Sequence, residues 1–246
     1  MKYQVIVLDL DGTLTNSRKE ITPPTRDALI EIQQKGKKVV LASGRPINGV
    51  APLAEELHLE EYGGFMLSFN GARITSCSDN AIIYNKVIPQ EVIRPIYETV
   101  KEYPGLDLIS YTDKVILSGI KSNEYTEKEA AINSMEICPV EDFPSVLDFP
   151  INKMLVPGEP AILEELMPKL QKQYHGLLNI YRSEPFFLEI MPQNIDKAHS
   201  LQKLLNSIGL TADSMICCGD GFNDLSMIEY AGLGVAMENA QPVVKD

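Results

Sequence analysis

Three features of the chain predict an α/β fold, a parallel sheet covered by helices, with a second α/β module set into it. Short apolar runs alternate with amphipathic helical stretches, the rhythm of strands crossed over by helices. Polar and glycine-rich clusters stand where those runs end, at Asp9-Leu10-Asp11-Gly12-Thr13, at Ser43-Gly44-Arg45 and at Gly219-Asp220-Gly221-Phe222-Asn223-Asp224. In open parallel sheets the carboxyl ends of the strands are where ligands bind. Between about Ile82 and Phe187 the texture changes to strands alternating with helices rich in Glu and Lys, the mark of an insertion.

Val5-Ile6-Val7-Leu8 reads as the first strand. Side chains alternate along a strand, so Asp9 and Asp11 can share one side while Leu10 points away. Gly12 lets the backbone turn sharply and approach an anion, and Thr13 adds a hydroxyl at the mouth of the turn. Thr22-Pro23-Pro24 offers a cap with proline in the first helical turn, and Ala28, Leu29 and Ile32 recur at helical spacing until Lys35-Gly36. Val39 to Ala42 reads as a buried strand, followed after Ser43-Gly44-Arg45-Pro46 by a helix to about Leu57. Met66 to Phe69 leads into the turn Asn70-Gly71, and Ala72 to Ser76 completes a hairpin.

In the inserted region Leu117 to Ile120 and Met154 to Val156 are expected strands, punctuated by Pro89, Pro139, Pro144, Pro150 and Pro157. The chain returns to the first domain near Leu188-Glu189-Ile190-Met191, which makes the core discontinuous, 1–82 and 190–246, with 83–189 inserted. Lys197 then opens an amphipathic helix through Leu201, Leu204 and Leu205, and Met215 to Cys218 is the strand that delivers the last polar cluster. The end, Val243-Val244-Lys245-Asp246, falls inside an expected helix.

With 246 residues, 44% of them hydrophobic and 23% charged, the chain can fill a large core and is not dominated by disorder. A net charge of −12 argues against nucleic acid or an anionic membrane as partner. An anionic small molecule stays possible where the site is locally positive. The N-terminus has no signal-peptide core and no run reaches membrane-spanning length, so a cytoplasmic location is expected. Cys77, Cys138, Cys217 and Cys218 form no C-x-x-C pair, and His58, His175 and His199 have no partner motif. They read as structural or exposed residues.

The polar clusters admit two readings each. Asp9 and Asp11 could be a solvated turn or a site for a metal and a phosphate, since two adjacent anions need a cation or a proton between them. Ser43 with Gly44 and Arg45 reads, taken alone, as a helix cap, and a helix start also favours anions. Lys197 has the default of a solvated lysine, although the start of a helix disfavours a cation. In Gly219 to Asp224, oxygen ligands on a glycine-permitted turn are what a hard cation requires.

In order, D-L-D-G-T, S-G-R, a lysine and G-D-G-F-N-D resemble the four-motif signature of the haloacid dehalogenase-like hydrolases. The insertion resembles the cap of the Cof-type, or type IIB, subfamily. The resemblance covers nearly the whole chain and implies a Rossmann-like core with an inserted cap that sets specificity. It implies Asp9 as a nucleophile forming an aspartyl phosphate, with Asp11 as the acid and later the base. For the first step Asp9 must be ionised and Asp11 protonated. It implies Mg²⁺ held by Asp9, the backbone carbonyl of Asp11 and Asp220, with Asp224 supporting that shell and Asn223 positioning the site. Ser43, Gly44 and Lys197 would bind phosphoryl oxygens. Arg45 and Asn70 would lie near the substrate, where a surface helix residue and a turn former are the alternatives.

The implied activity is hydrolysis of a small phosphorylated metabolite, most simply a sugar phosphate. A phosphomutase or phosphotransferase would use the same nucleophile, and a phospho-accepting signalling module has a similar inventory but half the length. Two departures from the pattern stand out. Asp196 and Ala198 flank Lys197 where many relatives have a glycine or serine before the lysine and a glycine after it, and relatives usually continue with another strand and helix, so a truncated end is expected.

Overall fold

The computed structural model describes residues 2–246. The chain forms two compact units, one running to Asn85 and resuming at Asp196, the other spanning Lys86–Ile195. The first unit opens with strands β1 (Val5–Leu8), β2 (Lys38–Ala42), β3 (Phe65–Ser68), β4 (Arg73–Ser76) and β5 (Ile82–Asn85). The second contains β6 (Ile109–Tyr111), β7 (Val115–Ser118), β8 (Glu136–Pro139), β9 (Met154–Pro157), β10 (Leu178–Glu184) and β11 (Phe187–Pro192). Strands β12 (Met215–Gly219) and β13 (Leu233–Ala236) complete the first sheet, in the order β13-β12-β1-β2-β3-β4-β5.

From β13 to β3 that sheet is parallel, and β4 and β5 are added antiparallel through the hairpin at Asn70-Gly71. Strand alternation divides its apolar residues between two cores. Val5, Val7, Val40, Ala42, Met215 and Cys217 pack with Leu201, Leu204 and Leu205 of the helix Lys197–Ser207. Leu8, Leu10, Val39 and Leu41 pack on the other side with Leu29 of the helix Pro23–Gln34 and Val50 and Leu53 of the helix Ile47–Glu56.

Register aligns the strand ends. Leu8 pairs with both Leu41 and Cys218, so the residues that follow β1, β2 and β12 emerge at one edge of the sheet. Asp9 N–H donates to the Cys218 carbonyl at 3.0 Å and continues that alignment one residue past the strand.

The second unit carries a six-stranded sheet, β10-β11-β9-β6-β7-β8, antiparallel except between β7 and β8. Its core joins Val92, Ile93 and Ile96 of one helix and Leu163, Leu166 and Leu170 of another to Met154, Val156, Leu188 and Ile190. Two sequence expectations shift here. The chain leaves this unit at Ile195, not near residue 190, because β11 pairs with β9 and β10 and belongs to the second sheet. The strand expected at Leu117 to Ile120 lies two residues earlier, because Asp107 captures the turn beyond Ser118 through the Ile120 amide at 3.0 Å. Among the described residues no helix is long and apolar enough to cross a membrane.

Candidate active site

The loop after β1 is anchored by Leu10. Its side chain is fully buried, and its carbonyl accepts from the Thr13 amide (3.3 Å), the Thr15 amide (2.9 Å) and the Thr15 hydroxyl (2.9 Å). Gly12 sits at φ +87°, and a Cβ there would meet Asp220 Oδ2 at 2.4 Å, so only glycine lets the loop lie this close to the last motif.

Asp9 is buried, and Lys197 is buried completely. The Lys197 ammonium donates to Asp9 Oδ1 at 2.6 Å, to Asp224 Oδ1 at 2.5 Å and to the Ala42 carbonyl at 2.9 Å. All three of its protons are therefore engaged by motifs from three strand ends. The solvated reading of this lysine does not hold. A cation at the start of a helix is tolerated because Asp196 caps the helix, accepting from the His199 amide at 2.9 Å, and two carboxylates face the ammonium.

Asp224 is equally buried, and its Oδ2 accepts from the Asp220 and Gly221 amides at 3.0 and 2.9 Å. Asp220 accepts from the Thr13 hydroxyl at 3.2 Å and from Asn239 at 3.1 Å. Carboxylate oxygens of Asp9, Asp220 and Asp224 lie within 4.8 Å of one another. Three carboxylates around one ammonium leave an excess of negative charge, and an all-oxygen set suits a hard divalent cation.

The Asp11 side chain turns away from this cluster. Arg45 grips it with two bonds, Nε to Oδ2 at 2.9 Å and Nη2 to Oδ1 at 2.5 Å, and Lys19 adds a third to Oδ1 at 2.6 Å. Arg45 is thus not a surface helix residue. Its guanidinium is mostly buried and also donates to the Gly49 carbonyl at 3.2 Å.

These contacts order the two carboxyls opposite to the expectation from sequence. Burial pushes Asp9 up, Lys197 opposes it and Asp224 reinforces it, with the net near about 6. At neutral pH Asp9 is still ionised, and Lys197 stays protonated because Asp9 and Asp224 outweigh its burial. Burial also acts to raise Asp11, but the hydrogen bonds from Arg45 and Lys19 prevail and hold it below the usual carboxylate range. The deeper burial of Asp9 sets the two apart, and the cations widen the difference: two serve Asp11, and one is shared between Asp9 and Asp224. Asp220 is raised by burial, against the Thr13 hydrogen bond.

Ser43 is buried after β2, and its hydroxyl accepts from the Arg45 amide at 3.1 Å. It caps this local turn, while Pro46 precedes the helix itself. Asn70, at φ +53°, donates its backbone N–H to the Ser43 carbonyl at 2.9 Å, and its side-chain oxygen accepts from Asn223 Nδ2 at 3.2 Å. A Cβ on Gly44 would press on the Asn70 amide at 3.2 Å. Ser43, Gly44, Asn70 and Asn223 therefore form one polar rim.

Two neighbours had no reading in the sequence. Asn239 bonds both the Gly12 carbonyl (3.0 Å) and Asp220, and its only signal is its position just past a core strand, β13. Lys19 lies in the charged run Arg18-Lys19-Glu20, which looks like solvated surface.

The strand ends of the parallel sheet thus gather a fully buried lysine, the two carboxylates it holds, and the further carboxyls of Asp220 and Asp11. A family model for haloacid dehalogenase-like hydrolases matches residues 6–246. The chain belongs to that family. It superposes on the crystal structure of a haloacid dehalogenase-like hydrolase from Bacteroides thetaiotaomicron with a TM-score of 0.96 at 46% identity, covering 99% of this chain and 91% of that one. For TM0651 from Thermotoga maritima the TM-score is 0.88 at 32% identity, with 99% and 89% covered. The 5-amino-6-(5-phospho-D-ribitylamino)uracil phosphatase YcsE of Bacillus subtilis is 30% identical over 243 residues, 99% of this chain and 87% of that protein.

Proposed function

We propose that the protein is a Mg²⁺-dependent phosphatase that hydrolyses a small phosphomonoester, of the sugar-phosphate class, through a phosphorylated Asp9. The observation that carries this reading is the hold of fully buried Lys197 on both Asp9 and Asp224, beside the three-carboxylate cluster. An ammonium with no access to bulk water keeps Asp9 anionic and aims it, which is what an attacking carboxylate needs.

Asp9 Oδ attacks phosphorus, the bond from phosphorus to the alcohol oxygen breaks, and this oxygen takes up a proton through Asp11, which Arg45 and Lys19 hold ionised in the free protein and which gains that proton from solvent as the phosphoryl dianion binds beside it. Asp11 then accepts a proton from the water that attacks the aspartyl phosphate. Ser43, the amides around Gly44 and the Lys197 ammonium stabilise the phosphoryl oxygens, Lys197 exchanging one of its present acceptors for a phosphoryl oxygen. Asp9 and Asp220, with the Asp11 carbonyl, would hold Mg²⁺ and Asp224 would support it. The ion would supply positive charge against the carboxylates and the phosphoryl group. Asn70 and Asn223 keep the rim in place and Arg45 governs Asp11. The second unit, Lys86–Ile195, serves as the specificity cap. The sugar-phosphate assignment is supported by the name of the YcsE relative, whose substrate carries its phosphate on a ribityl chain.

The test is phosphate release from a panel of sugar phosphates, nucleotides and other phosphomonoesters, with Mg²⁺ and with excess chelator. Chelator-sensitive release favouring pentose or hexose phosphates is expected. Release unaffected by chelator removes the metal assignment, and no release from any ester removes the phosphatase.

A further inference from the structure

The segment from Asp11 to Ile21 is a small hairpin built in a way that a solvent-facing loop does not require. Thr15 bridges both Asp11 and Ile21. Asn16 exchanges backbone bonds with Glu20 (3.0 Å) and Lys19 (2.9 Å), and its side-chain oxygen accepts from the Arg18 and Glu20 amides at 2.8 and 3.2 Å. At its tip Lys19 adopts a left-handed backbone, φ +63°, where glycine or asparagine is the unstrained choice. A strained backbone retained at a lysine calls for a use of that side chain. The use is visible: its ammonium reaches back across the hairpin to Asp11 Oδ1 at 2.6 Å.

We infer that Lys19 is a positioning residue, which together with Arg45 fixes the carboxyl of Asp11 for proton exchange with the alcohol oxygen of the substrate. This rests on the phosphatase reading. Oδ1 accepts from two cations, Lys19 and Arg45 Nη2, so both its lone pairs are used. Oδ2 accepts only Arg45 Nε among these donors and keeps one lone pair for the transferred proton. As the Asp9-phosphorus bond forms, the electron pair of the broken phosphorus-oxygen bond stays on the leaving oxygen. The proton that Oδ2 gains from solvent as the phosphoryl dianion binds moves to that oxygen, giving the alcohol and returning Asp11 to the carboxylate that Arg45 and Lys19 favour. Without Lys19 the group is free to turn about the Arg45 contact, and the proton is misdirected.

The readout is the dependence on leaving group. The value of kcat/KM counts only the steps up to loss of the alcohol. An alkyl phosphate such as glycerol phosphate needs that proton, whereas p-nitrophenolate departs without it. In Lys19→Met the ratio of kcat/KM for glycerol phosphate to that for p-nitrophenyl phosphate is expected to fall about tenfold, with Lys19→Arg restoring most of it. Lys19 is exposed, so neither variant is expected to disturb folding. An equal fall for both esters, which a lysine that merely attracts the anion would cause, overturns the positioning role, as does an unchanged ratio. Wild-type protein inactive on both esters overturns the phosphatase reading, and this role with it.

Discussion

The ammonium of Lys197 lies 2.6 Å from Oδ1 of Asp9, joining residues 188 positions apart in the chain. The contact exists because β1 and β2 end in register and the helix Lys197–Ser207 packs its leucines on the Val5, Val7 and Val40 side of the sheet. Asp9 follows Val5 and Val7 in the same alternation, so the strand aims its carboxyl at the first turn of that helix. Local strand geometry and long-range packing thus converge on one buried ion pair.

Replacing Asp9 by Asn keeps the shape and removes the nucleophile. Turnover is expected to fall about 10³-fold or more, while circular dichroism and the unfolding midpoint stay close to wild type, because the amide oxygen still accepts from Lys197, Asp224 keeps that ammonium paired, and burial disfavours the charge that is removed. Steady-state phosphate release alongside thermal melts checks this, and near-normal turnover would contradict the role of Asp9.

Lys197→Met leaves two buried carboxylates facing each other without a cation. Breaking a buried pair from one side costs about 3–5 kcal/mol. At roughly 2–4 °C per kcal/mol for a chain of this size, a melting point lower by on the order of 10 °C is expected, together with loss of activity. Addition of Mg²⁺ is expected to recover part of the melting point, because the exposed deficit is one of positive charge. An unaltered melting point would mean that Asp9 and Asp224 do not depend on this lysine.

The four polar motifs were legible because each is short, follows an apolar strand and combines residue types of one chemistry. The β1, β2 and β12 strands were legible for the same reason, as period-2 or continuous apolar runs between glycines and helical segments. The state of each side chain was not. That Asp11 turns to Arg45 and Lys19 while Asp9 turns to Lys197 depends on contacts spanning 34, 8 and 188 positions. Lys19 gave no signal, since a left-handed backbone at a lysine is not written in residue type. The return at Asp196 is not visible in the sequence because β11 is as apolar as a core strand, and only its pairing with β9 and β10 assigns it to the second sheet.

Gly12→Ala tests how tightly the first and last motifs are coupled. The added methyl meets Asp220 Oδ2 at 2.4 Å and forces a residue with Cβ into φ +87°. The backbone term alone costs roughly 1–2 kcal/mol. Because the clash falls on a carboxylate of the cluster, activity is expected to drop by at least about tenfold, with a rise in the Mg²⁺ concentration needed for half activity. Titration of activity with Mg²⁺ distinguishes this from simple destabilisation, which would leave the Mg²⁺ requirement in place.

Arg45→Lys removes the two-bond grip on Asp11 while keeping the charge. A point charge does not reproduce the fork, so kcat is expected to fall about tenfold with the fold retained. Full activity would show that charge alone at this position suffices.

Catalysis through Asp9 requires the phosphoryl group to reside on that carboxylate during turnover. Rapid acid quench of the protein during turnover of a phosphomonoester, followed by peptide mass spectrometry, reads this directly. A phosphoryl adduct on Asp9 that forms and decays at the turnover rate, and is missing in Asp9→Asn, is the predicted result. Turnover without any adduct, or an adduct on Asp11 instead, would contradict it.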